Sequence, residues 1–363
     1  MCVVLSTYGS CGDVEPMAGL AAALRESGAE ARVCAPPDEE FAKRPAGVGV
    51  ELVPVGQPVR TAATRAGQPS RAGLAERAAA MTAAQFEAVV AAAEDADAGV
   101  ATGLLPAADG ARTAAGKLGL PYVFAVPEGV TDNRVLHDLD ARFMNETFGT
   151  GLDALHASIG LPPVADFRTH VLTDRPWPAA DPLLGPWQTP ADLDVVRTGA
   201  WALPDERPLP DGHETFPEAG EAPVYVGFAS MPMHGAGNAG QVAVGAVRAQ
   251  GRSVLVGRGR ADLALIDGAD DCFDVGEADH QALFRRVAAV VHHGGAGTTT
   301  TSALAGVPQV VVPQIADQPY RAGRVAELGI GAAHDGPTPT DVAATIRTDG
   351  AEAAARLLLD MAS

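Results

Sequence analysis

The feature that most constrains the fold is a run of glycines between an apolar stretch and four threonines, RVAAVVHHGGAGTTTT at residues 286–301. The apolar stretch predicts a strand over Ala288–His292, and the threonines predict a short helix over Thr299–Ala305. Glycines between the two allow a tight turn and a close approach of the backbone to a ligand. Free N–H groups at a helix start suit a phosphate, and His293 can add a donor. The stretch therefore predicts an α/β unit with an anion site at its turn.

Two better-known phosphate motifs are excluded at this turn. There is no Gly-Lys-Ser/Thr ending, so the turn is not a nucleoside-triphosphate P-loop. Thr300 stands where the dinucleotide fingerprint needs its third glycine. A diphosphate site without metal or lysine remains, beside the plainer interpretation that the turn is only structural and that His292 is a packed strand residue.

A second unit of the same kind opens the chain. Val3–Ser6 predicts a strand, a glycine-containing turn follows, and Met17–Ser27 has a helical pattern. Asp13 and Glu15 suit the first turn of that helix, where acidic side chains favour the helix dipole. Asp13 has a sharper alternative role, because open α/β sheets bind ligands just beyond the carboxyl ends of their strands.

The rest of the chain alternates strands with helices, which predicts two Rossmann-like, doubly wound parallel sheets. The predicted strands are 31–35, 50–55, 98–102, 122–126, 224–228, 253–256, 272–275 and 309–313. The predicted helices are 72–93, 107–118, 141–158, 239–250, 279–286 and 319–328. Residues 162–210 are rich in proline and tryptophan and are predicted to be irregular. His137, Asn145 and His156 could face a ligand, although a solvated helix face is the plainer interpretation.

These patterns divide the chain into domains. Residues 1–203 are predicted to form an N-terminal domain, 204–222 a linker and 223–363 a C-terminal domain whose last helix packs back on the first. The length of 363 residues suits two domains. The two sheets are expected to face each other across a cleft, with Asp13 on one wall and His293 on the other.

Charge and cysteine content narrow the function classes. The net charge of −19, with Lys43 and Lys117 as the only lysines, argues against a nucleic-acid partner. The four cysteines form no C-x-x-C pair, which favours reduced thiols over a zinc knuckle or a disulfide framework. The chain shows neither a signal peptide nor an apolar run that could span a bilayer. A soluble, cytoplasmic protein without a membrane partner is expected.

Three acidic pairs have an Asp-x-Asp spacing that could suggest a carboxylate metal site, but their positions do not suit a metal. They lie before a strand, in a helical region and in the irregular segment: Asp95 with Asp97, Asp138 with Asp140, and Asp192 with Asp194. No metal site is predicted.

Together these motifs resemble a known family. The residues that carry the resemblance are Gly9–Pro16, His292–Thr298, Gly306–Gln309 and Ala316–Tyr320. They resemble the acceptor-side and donor-side signatures of the inverting, two-domain GT-B glycosyltransferases of family 1. Further blocks resemble the actinobacterial enzymes that glycosylate vancomycin- and teicoplanin-type antibiotic peptides: Ala35–Asp38, Thr102–Leu105, Ile159–Val164, Thr198–Pro208 and Ala333–Pro337.

The resemblance implies a role for each matching position. Asp13 would be the general base that takes the proton from an acceptor hydroxyl, and His293 would offset charge on the leaving diphosphate. Val275 would meet the nucleobase through its backbone, while Asp317 and Gln318 would bind the sugar hydroxyls. The other expected donor-binding residues are Ser10, Gly12, Ser230, Gly295, Gly297 and Thr298. No acceptor-binding residue is identified, although residues 57–70 and 128–145 are the expected segments.

The implied activity is transfer of glucose or N-acetylglucosamine from a UDP-sugar to a hydroxyl of a glycopeptide antibiotic aglycone, with inversion and without a metal or other cofactor. The Asp317–Gln318 pair favours a hexose. A dTDP-deoxysugar transferase of the vancosaminyl type, acting on the same acceptors, is the alternative within the class. From other classes, an NAD-dependent oxidoreductase and a non-catalytic nucleotide-sugar-binding protein stay open.

The chain departs from the family pattern at several places. Cys11 stands where arginine is expected, and Ala229 stands where glycine is expected. The segments after Pro127 and after Thr340 are short for the family.

Overall fold

The structure is a computed structural model. It describes residues 1–50, 52–59, 70–126, 141–186, 194–205, 209, 222–228, 239–257, 271–276, 278–313, 317–331, 356 and 359. The chain divides into two compact units. The N-terminal unit comprises Met1–Pro182, Pro186–Pro204 and Thr348–Ser363, and the C-terminal unit comprises Leu183–Gly185 and Asp205–Arg347. Most of the predicted linker, 204–222, lies outside the described residues.

The N-terminal unit is built on a parallel sheet of six strands in the order β3-β2-β1-β4-β5-β6. The strands are β1 (Cys2–Tyr8), β2 (Glu30–Ala35), β3 (Leu52–Pro54), β4 (Ala98–Gly103), β5 (Tyr122–Val126) and β6 (Trp177–Pro178). Val3 pairs with Ala31 on one side and with Ala98 on the other. All seven residues of β1 are buried, as expected for a central strand covered on both faces.

Helices cover both faces of this sheet. They are α1 (Cys11–Glu26), α2 (Glu39–Gly47), α3 (Arg71–Ala92), α4 (Leu105–Leu118), a π-helical turn (Asn145–Gly149) that runs into α5 (Thr150–Ile159), and α6 (Phe167–Leu172). One core cluster packs Leu5 and Val33 against Met17 and Leu24 of α1. The other packs Phe86 of α3 among residues from β1, β4 and α4. Alternating strands and helices are thus confirmed.

The helices of this unit depart from the sequence predictions in three places. The helix α1 begins at Cys11, before the predicted pattern from Met17 to Ser27, because Ser10 caps it and the helix continues through Pro16; its first turn contains Asp13, as predicted. The helix α2 was not predicted, since its interior Pro45 is normally a helix-breaking signal. Residues 162–210 are not irregular throughout, because Asp166 caps α6 by accepting the N–H of Thr169.

The C-terminal unit holds a parallel sheet of five strands in the order β11-β10-β7-β8-β9. Its strands are β7 (Val224–Gly227), β8 (Val254–Val256), β9 (Cys272–Asp274), β10 (Ala289–His292) and β11 (Gln309–Val311). Its helices are α7 (Ala239–Ala249), α8 (His280–Leu283) with a 3-10 turn (Phe284–Arg286), α9 (Ala296–Leu304) and α10 (Gln318–Glu327). The predicted start of α9 at Thr299 is wrong, because Gly295 takes the extended N-cap conformation and the helix follows at once.

The core of the C-terminal unit lies on both faces of β7 and β10. Val226 and Val254 pack with Phe228 on one face, and Val290 packs with Phe284 on the other. Two parallel α/β sheets of six and five strands give the two-domain Rossmann-like fold that the sequence predicts.

Candidate active site

In each sheet the first strand in the chain has neighbours on both sides, so the order of the strands reverses there. The strand β1 lies between β2 and β4, and β7 lies between β8 and β10. Open parallel sheets bind ligands at the carboxyl ends of such neighbouring strands. Ser10 and Asp13 follow β1 there, and the glycine turn His293–Gly295 follows β10. The turn after β7, with Ala229 and Ser230, lies outside the described residues.

Asp13 is held by a capping box at the start of α1. Its Oδ2 accepts the backbone N–H of Ser10 at 2.6 Å and the Ser10 hydroxyl at 3.1 Å. The Ser10 hydroxyl in turn accepts the N–H of Gly12 at 3.2 Å. The capping interpretation of Asp13 is therefore confirmed, and the same contacts fix the orientation of its half-buried carboxylate. Ser10, predicted as a phosphate ligand, uses its hydroxyl here to hold Asp13.

Gly9 leaves the space that this carboxylate fills. A Cβ added at Gly9 would lie 2.2 Å from Asp13 Oδ2 and 2.6 Å from Asp13 Cγ. In the sequence Gly9 belongs to the Gly9–Pro16 motif, and the structure shows that a side chain at Gly9 is incompatible with this Asp13 conformer.

His292 sets the shape of the turn after β10. Its Nδ1 accepts the N–H of Gly294 at 3.1 Å, and its Nε2 lies 3.0 Å from Gln309 Oε1. An Nδ1 that accepts requires the proton on Nε2, so His292 donates to Gln309, whose amide donates to the Thr299 carbonyl at 3.3 Å. Burial lowers the pKa of His292 to about 3, so the ring stays neutral. His292 is the packed strand residue that the plainer interpretation describes.

His293 lies over the glycine turn. The residue is 6% exposed, and a Cβ added at Gly295 would lie 2.6 Å from its Nε2. Within the described residues its buried Nδ1 has no hydrogen-bond partner. Burial lowers the pKa of His293, the Asp317 carboxylate opposes that shift, and the Arg321 guanidinium adds to it. A neutral ring above the turn can donate or accept one hydrogen bond to a ligand.

The start of α9 lies directly behind this ring. Its N-cap, Gly295, has no side chain to cap the first turn. Gly297 is exposed, with nothing within 4 Å of an added Cβ, and Thr298 is half-buried. An uncapped helix start with an exposed glycine in its first turn suits an anionic group.

Asp317 and Gln318 lie against the same turn. Gly294 has a φ of +94°, and a Cβ added there would lie 3.4 Å from Gln318 Cβ. Asp317 is the N-cap of α10, yet its side chain does not cap the helix. Its Oδ2 accepts Arg321 Nε at 2.6 Å and also pairs with Arg321 Nη2. The C-terminal unit thus brings together the residues that are predicted to bind the phosphates and those that are predicted to bind the sugar.

Val275 is buried beyond the end of β9. Its N–H donates to the Val256 carbonyl at 3.0 Å, so a nucleobase could use only its carbonyl oxygen.

The helical segment before residue 160 holds structural polar groups. Asn145 donates to Asp166 Oδ2 and accepts the N–H of Phe167, each at 2.7 Å. His156 is 4% exposed and contacts Thr113 Oγ1 at 3.2 Å. Neither residue lies on a solvated helix face, so that interpretation is wrong for both. His137 lies outside the described residues, as do most of the two expected acceptor segments.

Asp95, Asp97 and Asp194, from the Asp-x-Asp pairs, have structural partners, whereas Asp138, Asp140 and Asp192 lie outside the described residues. Asp95 pairs with Arg32, and Asp97 Oδ2 accepts the N–H of Cys2 at 2.8 Å. Asp194 pairs with Arg175 at 3.1 Å. In the described part of the chain, no group of three or more His, Cys, Asp or Glu side chains could hold a metal ion.

Two site residues were missed by sequence reasoning. Arg321 holds Asp317, and Gln309 fixes His292. The spacing of four residues between Asp317 and Arg321 is a visible helical signal. The contact between Gln309 and His292 joins neighbouring strands and has no local signal.

Curated relatives match the chain over nearly its whole length. Glycosyltransferase GtfE of Amycolatopsis orientalis is 50% identical, with 99% of this chain and 97% of the relative covered. The vancomycin aglycone glucosyltransferase of the same organism is 48% identical, covering 100% and 98%. The chain belongs to the vancomycin-type glycosyltransferase family. The oxidoreductase alternative is therefore discarded.

Further matches bear on this glycosyltransferase. A dTDP-epi-vancosaminyltransferase of Amycolatopsis orientalis is 47% identical over 94% of this chain and 87% of the relative. Residues 273–363 match the model of the erythromycin biosynthesis protein CIII-like C-terminal domain. The crystal structure of the kitacinnamycin glycotransferase superposes with a TM-score of 0.68 at 20% identity, covering 99% of this chain and 95% of that one. The fold is thus that of GT-B enzymes.

Inside the aligned region this glycosyltransferase lacks residues that GtfE has. Its alignment with GtfE runs over 402 positions, whereas the chain has 363 residues, so at least 39 aligned positions have no residue here. None of the described helices is long and apolar enough to span a membrane.

Proposed function

We propose that this glycosyltransferase transfers glucose or N-acetylglucosamine from a UDP-sugar to a hydroxyl of a glycopeptide aglycone, with inversion and without a metal or other cofactor. The observation that carries the proposal is the full-length identity of 48% to a vancomycin aglycone glucosyltransferase. The position of Gln318 beside the glycine turn, where a Cβ added at Gly294 would lie 3.4 Å from Gln318 Cβ, supports it.

The N-terminal unit supplies the general base. Ser10 holds Oδ2 of Asp13, so the carboxylate has a defined direction when an acceptor hydroxyl arrives. A phenolic hydroxyl has a pKa near ~10, far above that of a carboxylic acid, so Asp13 takes the proton as the new glycosidic bond forms rather than beforehand. Direct displacement at the anomeric carbon inverts its configuration.

The C-terminal unit holds the donor and stabilises its leaving group. The diphosphate faces the uncapped start of α9, where N–H groups and the helix dipole favour negative charge. Because burial keeps His293 neutral, its ring stabilises the diphosphate as a hydrogen-bond donor and not as a cation. Gly295, Gly297 and Thr298 complete the phosphate site, and Val275 meets the base.

A dTDP-deoxysugar transferase is the second candidate. The identity of 47% to a dTDP-epi-vancosaminyltransferase favours it, since the two curated relatives differ in donor and hardly in similarity to this chain. Asp317 and Gln318 favour the hexose donor, because a carboxylate and an amide together can bind a hydroxyl-rich sugar edge.

A transfer assay tests the proposal. The enzyme is incubated with UDP-glucose, UDP-N-acetylglucosamine or dTDP-deoxysugars and a panel of peptide aglycones, and products are identified by mass spectrometry. Asp13→Asn should lower kcat by roughly 10² to 10⁴, whereas Glu15→Gln, a neighbouring carboxylate on α1, should leave it nearly unchanged. A chelator should not alter the rate. Absence of any sugar adduct, or full activity of Asp13→Asn, would contradict the proposal.

A further inference from the structure

Asp317 is an unusual N-cap residue. Aspartate at this position normally accepts N–H groups from the first turn of its own helix. Here the Asp317 side chain makes no such bond to α10. Instead Oδ2 accepts Arg321 Nε at 2.6 Å and also pairs with Nη2 of the same guanidinium. The carboxylate is therefore diverted from capping to a partner one helical turn further on.

The two carboxylate oxygens of Asp317 differ in their contacts with Arg321. Nε and Nη2 of Arg321 both reach Oδ2 of Asp317, and together they occupy the two lone pairs of that oxygen. Among the described residues, no donor reaches Oδ1. The side chains of Arg321 and Asp317 are 8% and 16% exposed, so the pair is well shielded from water. A shielded, charge-assisted pair is stronger and more rigid than an exposed one.

We infer that Arg321 is a positioning residue for the donor sugar. It holds Asp317 so that Oδ1 alone is presented to one sugar hydroxyl, and Gln318 supplies the remaining contacts. This inference rests on the proposed function, because it takes the ligand of Asp317 to be the hydroxylated hexose of a nucleotide sugar. It assigns donor selectivity to a side chain that does not itself touch the sugar.

Binding of the sugar and binding of the nucleotide should respond differently to the loss of Arg321. If Arg321 acts through Asp317, its loss weakens only ligands that carry the sugar. Arg321→Met should raise the Kd of UDP-glucose about tenfold and leave the Kd of UDP unchanged. Arg321→Lys keeps the charge but has no planar fork for Oδ2, so it should restore only part of the affinity.

Isothermal titration with UDP and with UDP-glucose measures both constants, and the pair dTDP and dTDP-glucose repeats the test with the other base. Arg324→Met is the matched control, because Arg324 lies on the same helix and binds Glu327 and the Leu183 carbonyl. Asp317→Asn should lose sugar affinity as Arg321→Met does, and the double variant should lose no more than either single one.

Thermal unfolding shows whether each variant is folded. If Arg321→Met does not fold, the binding constants of Arg321→Lys and Asp317→Asn are compared instead. Unchanged UDP-glucose affinity in the folded variants would overturn the inference, and so would an equal loss for UDP and UDP-glucose. If the wild-type enzyme transfers no sugar from any donor, the proposed function itself is wrong. Wild-type transfer with unaltered sugar affinity in the variants refutes the role of Arg321 alone.

Discussion

Replacing Asp109 by asparagine should stabilise the N-terminal unit, and by more at pH 8 than at pH 5. Asp109 lies on α4 and is fully buried. Neither of its carboxylate oxygens has a hydrogen-bond partner among the described residues, and His170 Nε2 lies 3.6 Å away. Burial raises the pKa of Asp109 to about 7, and the nearby Thr82 hydroxyl opposes the shift only in part. Between about pH 4 and pH 7 the folded unit therefore holds a proton that the unfolded chain has released.

The size and sign of the effect follow from these two protonation states. An unfolded aspartate has a pKa of about 3.9, so the folded state binds more protons between about pH 4 and pH 7. Stability from this group is fully present below about pH 4 and is lost as the pH rises through 7. The loss is about 1.5 kcal/mol at pH 5 and at most about 4 kcal/mol at pH 8. An asparagine side chain at this position cannot ionise, so the variant escapes this loss.

His170 has the opposite pH dependence, which the comparison removes. Burial lowers its pKa to about 4, with Arg112 and His156 adding to the shift. Its contribution is present above about pH 6.5 and is lost as the pH falls through 4. Both proteins contain His170, so the difference between them removes the part of its pH dependence that does not involve Asp109.

Tryptophan fluorescence is a suitable probe for this experiment. Trp177 and Trp201 are buried in a core cluster of the N-terminal unit. Urea unfolding of both proteins at pH 5 and pH 8 should show a difference in unfolding free energy that grows by about 2.5 kcal/mol. A difference independent of pH would refute the reasoning, whatever its absolute size.

Two further substitutions test the contacts that shape the candidate site. Gly9→Ala should lower kcat about 100-fold by displacing the Asp13 carboxylate, while the Kd of UDP stays unchanged. Gly47→Ala is the control, because a Cβ added at Gly47 meets open space. Equal kcat values for the two variants would contradict the predicted role of Gly9. Gln309→Leu should lower the unfolding free energy by about 1–3 kcal/mol, because the buried Nε2–H of His292 loses its acceptor. An unaltered thermal unfolding midpoint for Gln309→Leu would show that His292 finds another partner.

The sequence predicts the parts of this fold that depend on local pattern. Apolar runs that end in glycine turns locate β1 and β10, because a central parallel strand is mostly apolar and its turn needs small residues. The start of α1 was misplaced because the pattern does not show whether Ser10 caps the helix. The helix α2 was missed because Pro45 gives the same signal in a turn as in a helix.

Contacts between residues far apart in the chain limit how much of the candidate site can be predicted from the sequence. The roles of Asp13 and His293 rest on a resemblance. The structure adds the Ser10 contacts that hold Asp13, and it shows that Nδ1 of His293 has no hydrogen-bond partner among the described residues. His156 illustrates the difficulty, since its helical spacing suits a solvated face as well as the buried contact that it makes with Thr113. Which face of a helix meets the sheet depends on neighbouring elements, and this information is spread over distant residues.

The two carboxylates of the candidate site are held in the same way. Ser10 binds Oδ2 of Asp13 from three residues before it, and Arg321 binds Oδ2 of Asp317 from four residues after it. Both partners lie at the start of a helix that follows the carboxyl end of a strand, so each carboxylate is oriented by its own helical turn. Such local orientation does not depend on the other unit. We therefore expect each unit to keep its carboxylate geometry when donor and acceptor are absent.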